Sequence, residues 1–398
     1  MSYNFRLYFK LLYWSLFKSR DTHARLTPKR IKSLIFWFVI IPIHNLLTWI
    51  AFGLDEIFFP GYRKQEIEAP VFIIGNFRSG STLLQRLLAQ DQAHLTAMTT
   101  LEIYIAPAIT QRLFWKAAGK VDRVLFRGAF NKLVTRVEAK NLNSIPMHRV
   151  ALHEVDEDEG ILCHNWTSSF LMFPFPFMEL MSPYLHFDGE MSEKEKRRAM
   201  VFYKRMVQKH VYYHGGRRYI AKNPAFSSKV LALREYFPDA KFIYLVRNPV
   251  DMLASKTSFF SFIWNYFNNP LEPYPFKDML LDLTYGWYVD TLASLEKLPD
   301  SEYLILRYRQ LIRDLDTSTR LIYDQFHIPM TPAFEEKLAV AVEQARSYVS
   351  NHKYSLIRMG YQPEPVLTKF EEIFTRFDFD PRTEELMAEL NKKSREID

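Results

Sequence analysis

Residues 71 to 88 read V-F-I-I-G-N-F-R-S-G-S-T-L-L-Q-R-L-L, and the order of features in this stretch decides the fold. A short apolar run, Val71 to Ile74, is strand-like. Gly75 follows, then four residues, then Gly80-Ser81-Thr82, then leucines at helical spacing (Leu83, Leu84, Leu87 and Leu88). Strand, glycine-bounded loop and helix make a phosphate-binding loop, in which backbone N–H groups and a helix N-terminus attract an anion. A loop for a nucleoside triphosphate carries a lysine that reaches the β- and γ-phosphates. Here that position is Ser81, and Arg78 is the cation inside the loop. The substitution argues against triphosphate chemistry and for a smaller terminal anion.

Outward from the loop, the pattern alternates between strands and helices. Lys241 to Val246 (K-F-I-Y-L-V) predicts a second strand, leading into Arg247-Asn248-Pro249 and a helix through Ser255. Tyr303 to Leu306 predicts a third, ending at Arg307-Tyr308. Between the first and second strands a helix is expected from Ser192, with Glu195 completing a capping box and Met200, Tyr203, Val207 and Val211 on one face. Such alternation predicts an α/β fold, a central parallel sheet with helices on both sides. Ligands of these sheets sit beyond the C-terminal strand ends, where Gly75, Arg247 and Tyr308 all fall.

Taken together, Gly75–Thr82 and Arg247–Ser255 resemble the sulfotransferases that use 3′-phosphoadenosine 5′-phosphosulfate (PAPS). In that family an R-S-G-[ST]-T loop wraps the 5′-phosphosulfate, while an Arg at a strand end and a Ser eight residues later hold the 3′-phosphate. The resemblance places the first role on Arg78, Ser79, Gly80, Ser81 and Thr82, and the second on Arg247 and Ser255. Lys222-Asn223-Pro224 through Val246-Arg247 is most similar to the branch containing tyrosylprotein sulfotransferases and many bacterial enzymes. Leu306–Leu311 (L-R-Y-R-Q-L) is similar to the family's segment near the adenine, which implicates Tyr308, although Arg309 stands where an acid is usual. Ser350–Leu356 resembles a late donor-contacting loop, in which Lys353 would reach the nucleotide. The resemblance runs from about residue 69 onward.

The chemistry points the same way. Transfer of a sulfuryl group builds charge on the bridging oxygen and the departing phosphate, which loop amides, Arg78 and Lys222 would stabilise without a metal. Where a nucleotidase wants a magnesium-binding carboxylate, the strand ends instead in Arg247, suited to bidentate phosphate binding. The acceptor hydroxyl needs a base. Glu102, in T-T-L-E-I-Y, resembles the catalytic glutamate of the tyrosylprotein branch, and His153, in H-E-V-D-E-D-E, is its rival. The acidic run around 154–159 reads, more blandly, as a solvated face.

The N-terminal segment, residues 1–65, has a different character from the sulfotransferase domain expected over 66–398. Tyr3 to Phe17 mixes aromatics with Arg6, Lys10 and Lys18, as in a helix lying in a lipid interface. Ser33 to Leu54 holds no charge and as one helix would be roughly 30 Å long, enough to cross a bilayer. Pro42 near its middle favours a broken or interfacial helix pair that leaves the whole body on one side, the cytoplasmic one. The single cysteine, Cys163, permits no intrachain disulfide and agrees with a reducing compartment.

A net charge of +7 points to anionic partners; with no RNA-recognition signature or sustained basic helix, phosphorylated cofactor and membrane lipid rank above nucleic acid. The aromatic runs Phe173–Phe177 and Phe259–Phe267 are candidates for an apolar pocket wall, and with the N-terminus they favour a hydroxyl-bearing, lipid-like acceptor. The expected activity is therefore a membrane-associated, metal-free, PAPS-dependent sulfuryl transfer. Its rivals are a nucleotide kinase with an altered loop and a non-catalytic membrane scaffold on a degenerate nucleotide fold.

Overall fold

The computed structural model describes residues 2–141, 151–270, 274–347 and 355–382. Five strands form one parallel sheet: β1 (Val71–Gly75), β2 (Leu95–Thr96), β3 (Arg218–Lys222), β4 (Lys241–Val246) and β5 (Tyr303–Arg307), in the order β2-β3-β1-β4-β5. The chain builds outward on one side of β1 and then returns to build on the other. That reversal makes the end of β1, between β3 and β4, the switch point at which open α/β sheets bind ligands.

β1 is buried along its whole length, which explains why it reads as an unbroken apolar run. Its residues alternate between two cores. Phe72 and Ile74 join Tyr219, Phe242 and Tyr244 on one face, while Val71 and Ile73 join Ile220, Ile243 and Leu245 on the other. Helix α3 (Ser81–Leu88), which leaves the loop, covers the second face with Leu84, Leu87 and Leu88. The layering is the expected three-layer α/β/α arrangement.

The aromatic runs serve mostly as core. Phe175, Phe177, Phe260 and Trp264 are buried in the larger cluster, and of those positions Tyr266 stands exposed. The helix expected from Ser192 forms at Glu193–Tyr213, but Ser192 makes no side-chain cap. Glu195 instead accepts two hydrogen bonds from Arg198, at 2.5 and 2.6 Å. A charge-assisted pair outcompetes the neutral cap.

At the N-terminus α1 (Phe5–Phe17) and one long helix, α2 (Pro28–Phe58), pack on the body. The break expected at Pro42 does not occur. The helix widens to a π turn at Phe36–Ile40 just before the proline, giving the ring room. Pro42 cannot donate to the Phe38 carbonyl four residues back. The Tyr8 hydroxyl of α1 donates to that oxygen instead, at 3.1 Å. By length and composition α2 is the one helix among the described residues apolar enough to cross a membrane.

Candidate functional site

The loop after β1 is shaped by two close approaches. Gly75 has φ +140, and a Cβ there would lie 2.5 Å from the Leu245 carbonyl oxygen of β4. Gly80 has φ +85, and a Cβ there would lie 2.8 Å from the Tyr308 ring. Neither site tolerates a side chain. Arg78, which is not a glycine, also sits at φ +71, an uncommon conformation that surrounding contacts must enforce.

Those contacts come from the second motif. Arg78 Nε donates to Ser255 Oγ at 3.1 Å, and the Arg78 carbonyl accepts from Arg247 Nη1 at 2.8 Å. The Arg247 guanidinium stacks 4.5 Å from the centre of the Tyr308 ring. Arg78, Gly80, Arg247, Ser255 and Tyr308 are therefore drawn to the ends of β1, β4 and β5. Helix α8 (Pro249–Phe267) supplies Ser255 from its second turn, fully buried. Ser79 Oγ and Arg247 Nε are buried with no protein partner among the described residues, as donors prepared for an anion would be. Lys353 falls outside the described residues.

Lys256, next to Ser255, was not anticipated. Its ammonium is fully buried, with no carboxylate partner among the described residues, and donates to Asn76 Oδ1 at 3.0 Å and Thr284 Oγ1 at 2.9 Å. Burial pushes its pKa well below the usual lysine value. It pins the first turn of the loop to α8 and to α9 (Lys277–Leu295).

Lys222 ends β3, on the sheet face that carries α3, and donates to Glu157 Oε1 at 2.5 Å. Glu157 belongs to the acidic run after residue 153, which is no solvated face. Glu154 pairs with Arg86 of α3 at 2.6 Å, the Asp156 carbonyl accepts from Gln85, and Glu159 is buried against Lys229 at 2.5 Å. The run is a strap whose carboxylates tie the loop helix to the sheet. His153 lies exposed at its start.

Glu102 is placed elsewhere. It heads α4 (Thr100–Tyr104) in a capping box, accepting from the Thr99 N–H at 3.0 Å. Its other oxygen lies 2.7 Å from His214 Nε2 and 3.3 Å from Arg112 Nη1. These partners gather at the end of α7 (Glu193–Tyr213), where the His210 ring faces Tyr219, on the sheet face opposite Lys222. Burial alone would raise the Glu102 carboxyl, but Arg112, His210 and His214 outweigh it and hold it well below the usual range. Ligand-type atoms of Glu102, His210 and His214 lie within 4.8 Å of one another, as a metal would require. The Arg112 guanidinium, 3.2 Å from His210 Nδ1, already brings a positive charge into the group.

A model described as the sulfotransferase family matches residues 70–332, about two thirds of the sequence. The chain belongs to the sulfotransferase family. That membership leaves no place for the altered nucleotide kinase. Sulfotransferase relatives include the omega-hydroxy-beta-dihydromenaquinone-9 sulfotransferases Stf3 of Mycobacterium bovis and Mycobacterium tuberculosis. Each is 26% identical over 330 residues, covering 80% of this chain and 77% of the relative. The sulfotransferase fold is shared with two crystal structures at 19% identity. STF1 of Mycobacterium tuberculosis matches with a TM-score of 0.68 over 92% of both chains, and STF9 of Mycobacterium avium with 0.67 over 83% of this chain and 82% of its own.

Proposed function

We propose that this sulfotransferase moves a sulfuryl group from PAPS to the hydroxyl of a lipid-like alcohol by in-line displacement. The observation that carries the reading is the convergence of two sequence-distant cations, Arg78 and Arg247, with Ser255 and Tyr308 around one glycine-bounded loop. Amides of residues 79–82 and Arg78 would hold the 5′-phosphosulfate, Arg247 and Ser255 the 3′-phosphate, and Tyr308 would flank the nucleotide. The acceptor oxygen bonds to sulfur as the bond from sulfur to the bridging phosphate oxygen breaks, and that electron pair leaves with the adenosine bisphosphate. Lys222 and Arg78 neutralise the charge that gathers there.

The acceptor proton goes to a carboxylate. Glu157 suits this role better than Glu102, because it lies beside Lys222 at a strand end and is partly exposed. The Glu102 oxygens are committed to Thr99, Arg112 and His214, and its depressed pKa makes it a weak base. The acceptor class rests on the Stf3 relatives, named for a hydroxylated dihydromenaquinone, and on the apolar N-terminal helices. A single cysteine agrees with a catalytic body on the cytoplasmic side.

Calorimetry with adenosine 3′,5′-bisphosphate tests the donor site. Arg247→Ala should weaken binding by about 1.5–3 kcal/mol, the worth of a charged hydrogen bond, and an unchanged affinity would remove the site. A transfer assay with labelled PAPS and a hydroxylated dihydromenaquinone, beside a total lipid extract, tests the acceptor. A parallel reaction offers water-soluble alcohols, and label appearing there and not in lipid would refute the lipid class.

A further inference from the structure

Helix α2 holds the body along its whole length. Near its start the Arg30 guanidinium is fully buried and donates to the Pro174 carbonyl at 2.5 Å. In its middle Asn45 Oδ1 lies 3.0 Å from His164 Nδ1, and Thr48 accepts from Gln111 at 3.2 Å. Near its end Asp55 is fully buried against Lys209 at 2.7 Å and accepts from the N–H groups of Ile109 and Thr110. The opposite side is bare hydrocarbon: Phe36, Ile43, Leu46, Leu47, Ile50 and Ile57 are all exposed. A helix crossing a bilayer would have to shed these polar partners or take the body into lipid with it. One lying in the plane of the membrane keeps them.

A second element with exposed apolar side chains joins α2 at Asp55. Asp55 caps α5 (Ile109–Leu125), which folds back as α6 (Ala129–Asn141). Phe114, Val124, Leu125, Phe126, Phe130 and Leu133 of this hairpin are exposed, Val124 at 78%. An apolar cavity of about 410 Å³ opens between the helices at Val121, Phe126 and Phe130. Set among these side chains are the exposed cations Lys116, Lys120, Arg123, Arg127, Lys132 and Arg136. The acids do not balance them: Asp122 is buried, capping Phe130 and Asn131, and Glu138 accepts from the Leu152 N–H. Large apolar side chains interleaved with unneutralised cations are what an anionic lipid surface binds.

We propose that the outer side of α2 and the α5–α6 hairpin form one continuous face that seats the chain flat on a bilayer of anionic lipid, without crossing it. The face extends the membrane association considered above, but uses nothing of the transfer reaction.

Flotation of the full chain with vesicles of phosphatidylcholine, alone or mixed with phosphatidylglycerol, tests it. The chain should float with the mixed vesicles, weakly with the neutral ones, and less as salt is raised. A Val124→Asp/Leu125→Asp variant should lose at least tenfold in vesicle binding, with adenosine bisphosphate affinity unchanged as proof of folding. Equal flotation with neutral vesicles, or an unaffected variant, overturns the proposal. Topology is read separately in a Cys163→Ser background, with cysteines introduced by Arg25→Cys and Lys64→Cys on either side of α2. In sealed membrane vesicles an impermeant maleimide should reach both from the same side. Labelling from opposite sides means a spanning helix and ends the proposal. Loss of bisphosphate binding by Arg78→Ala with flotation intact would concern the donor site alone.

Discussion

Arg78 occupies a left-handed backbone conformation that costs of order 1 kcal/mol or more, and two hydrogen bonds from the second motif keep it there. Gly80→Ala should therefore reduce bisphosphate affinity at least tenfold, since the added methyl meets both a positive φ and the Tyr308 ring; calorimetry measures this directly. The two glutamates separate just as cleanly. Glu157→Gln should lower kcat by about 10²–10⁴ while the chain still binds bisphosphate, with some loss of stability because Lys222 is left without its carboxylate. Glu102→Gln should instead destabilise the fold by about 3–5 kcal/mol, because it strands the buried Arg112 guanidinium, and this appears in chemical denaturation. The reverse pattern would restore Glu102 as base. Arg78 and Arg247 were legible in the sequence because strand-to-loop order puts them near strand ends, while Ser255, in the second turn of α8, was singled out through the family resemblance. Glu157 was not, because its position depends on how the acidic strap packs against α3 and β3. Thr99-Thr100-Leu101-Glu102 did carry a local signal, the spacing of a capping box.

At the scale of elements, the joint between α2 and α5 centres on one carboxylate, with Gln111 and Thr110 adding hydrogen bonds to Thr48 and the Ala51 carbonyl. Asp55 neutralises Lys209 and satisfies two orphan N–H groups at the start of α5. Asp55→Asn should cost about 3–5 kcal/mol by leaving Lys209 buried and unpaired, seen as a lowered urea midpoint. Asp55→Asn paired with Lys209→Met should recover part of that loss. Three of the five strands were readable because each is a compact apolar run; β3, with Arg218 and Lys222 at its ends, and the two-residue β2 were not. The course of α2 was not, because a proline in sequence signals a break, and the π turn that absorbs it depends on a hydroxyl from another helix. The capping box at Ser192 failed for a similar reason: Arg198 was an unseen competitor for Glu195.

At the scale of the whole molecule, one pH-dependent contribution comes from His164, buried between Asn45 and the Ile103 carbonyl, and it is opposed by the buried carboxyls of Asp158 and Asp188, whose pKa values are raised to about 6. Burial lowers its pKa from 6.5 to about 4. The unfolded chain then takes up a proton that the folded chain refuses, so stability is complete above pH 6.5 and declines as pH falls toward 4. This group's share of the loss is up to about 3 kcal/mol, read as the difference between wild type and a His164 variant in thermal unfolding across that range. His164→Gln should flatten the slope; an identical slope in the variant would assign it to other groups. Since His164 joins α2 to the body, the same acidification should loosen the N-terminal helices first. The hydroxyl of Tyr8 adds a practical corollary. Cutting the chain back past Phe17, the usual remedy for a greasy leader, would leave the oxygen of Phe38 without a donor in an oily setting. Such a trimmed preparation should prove stickier in detergent, and not better behaved.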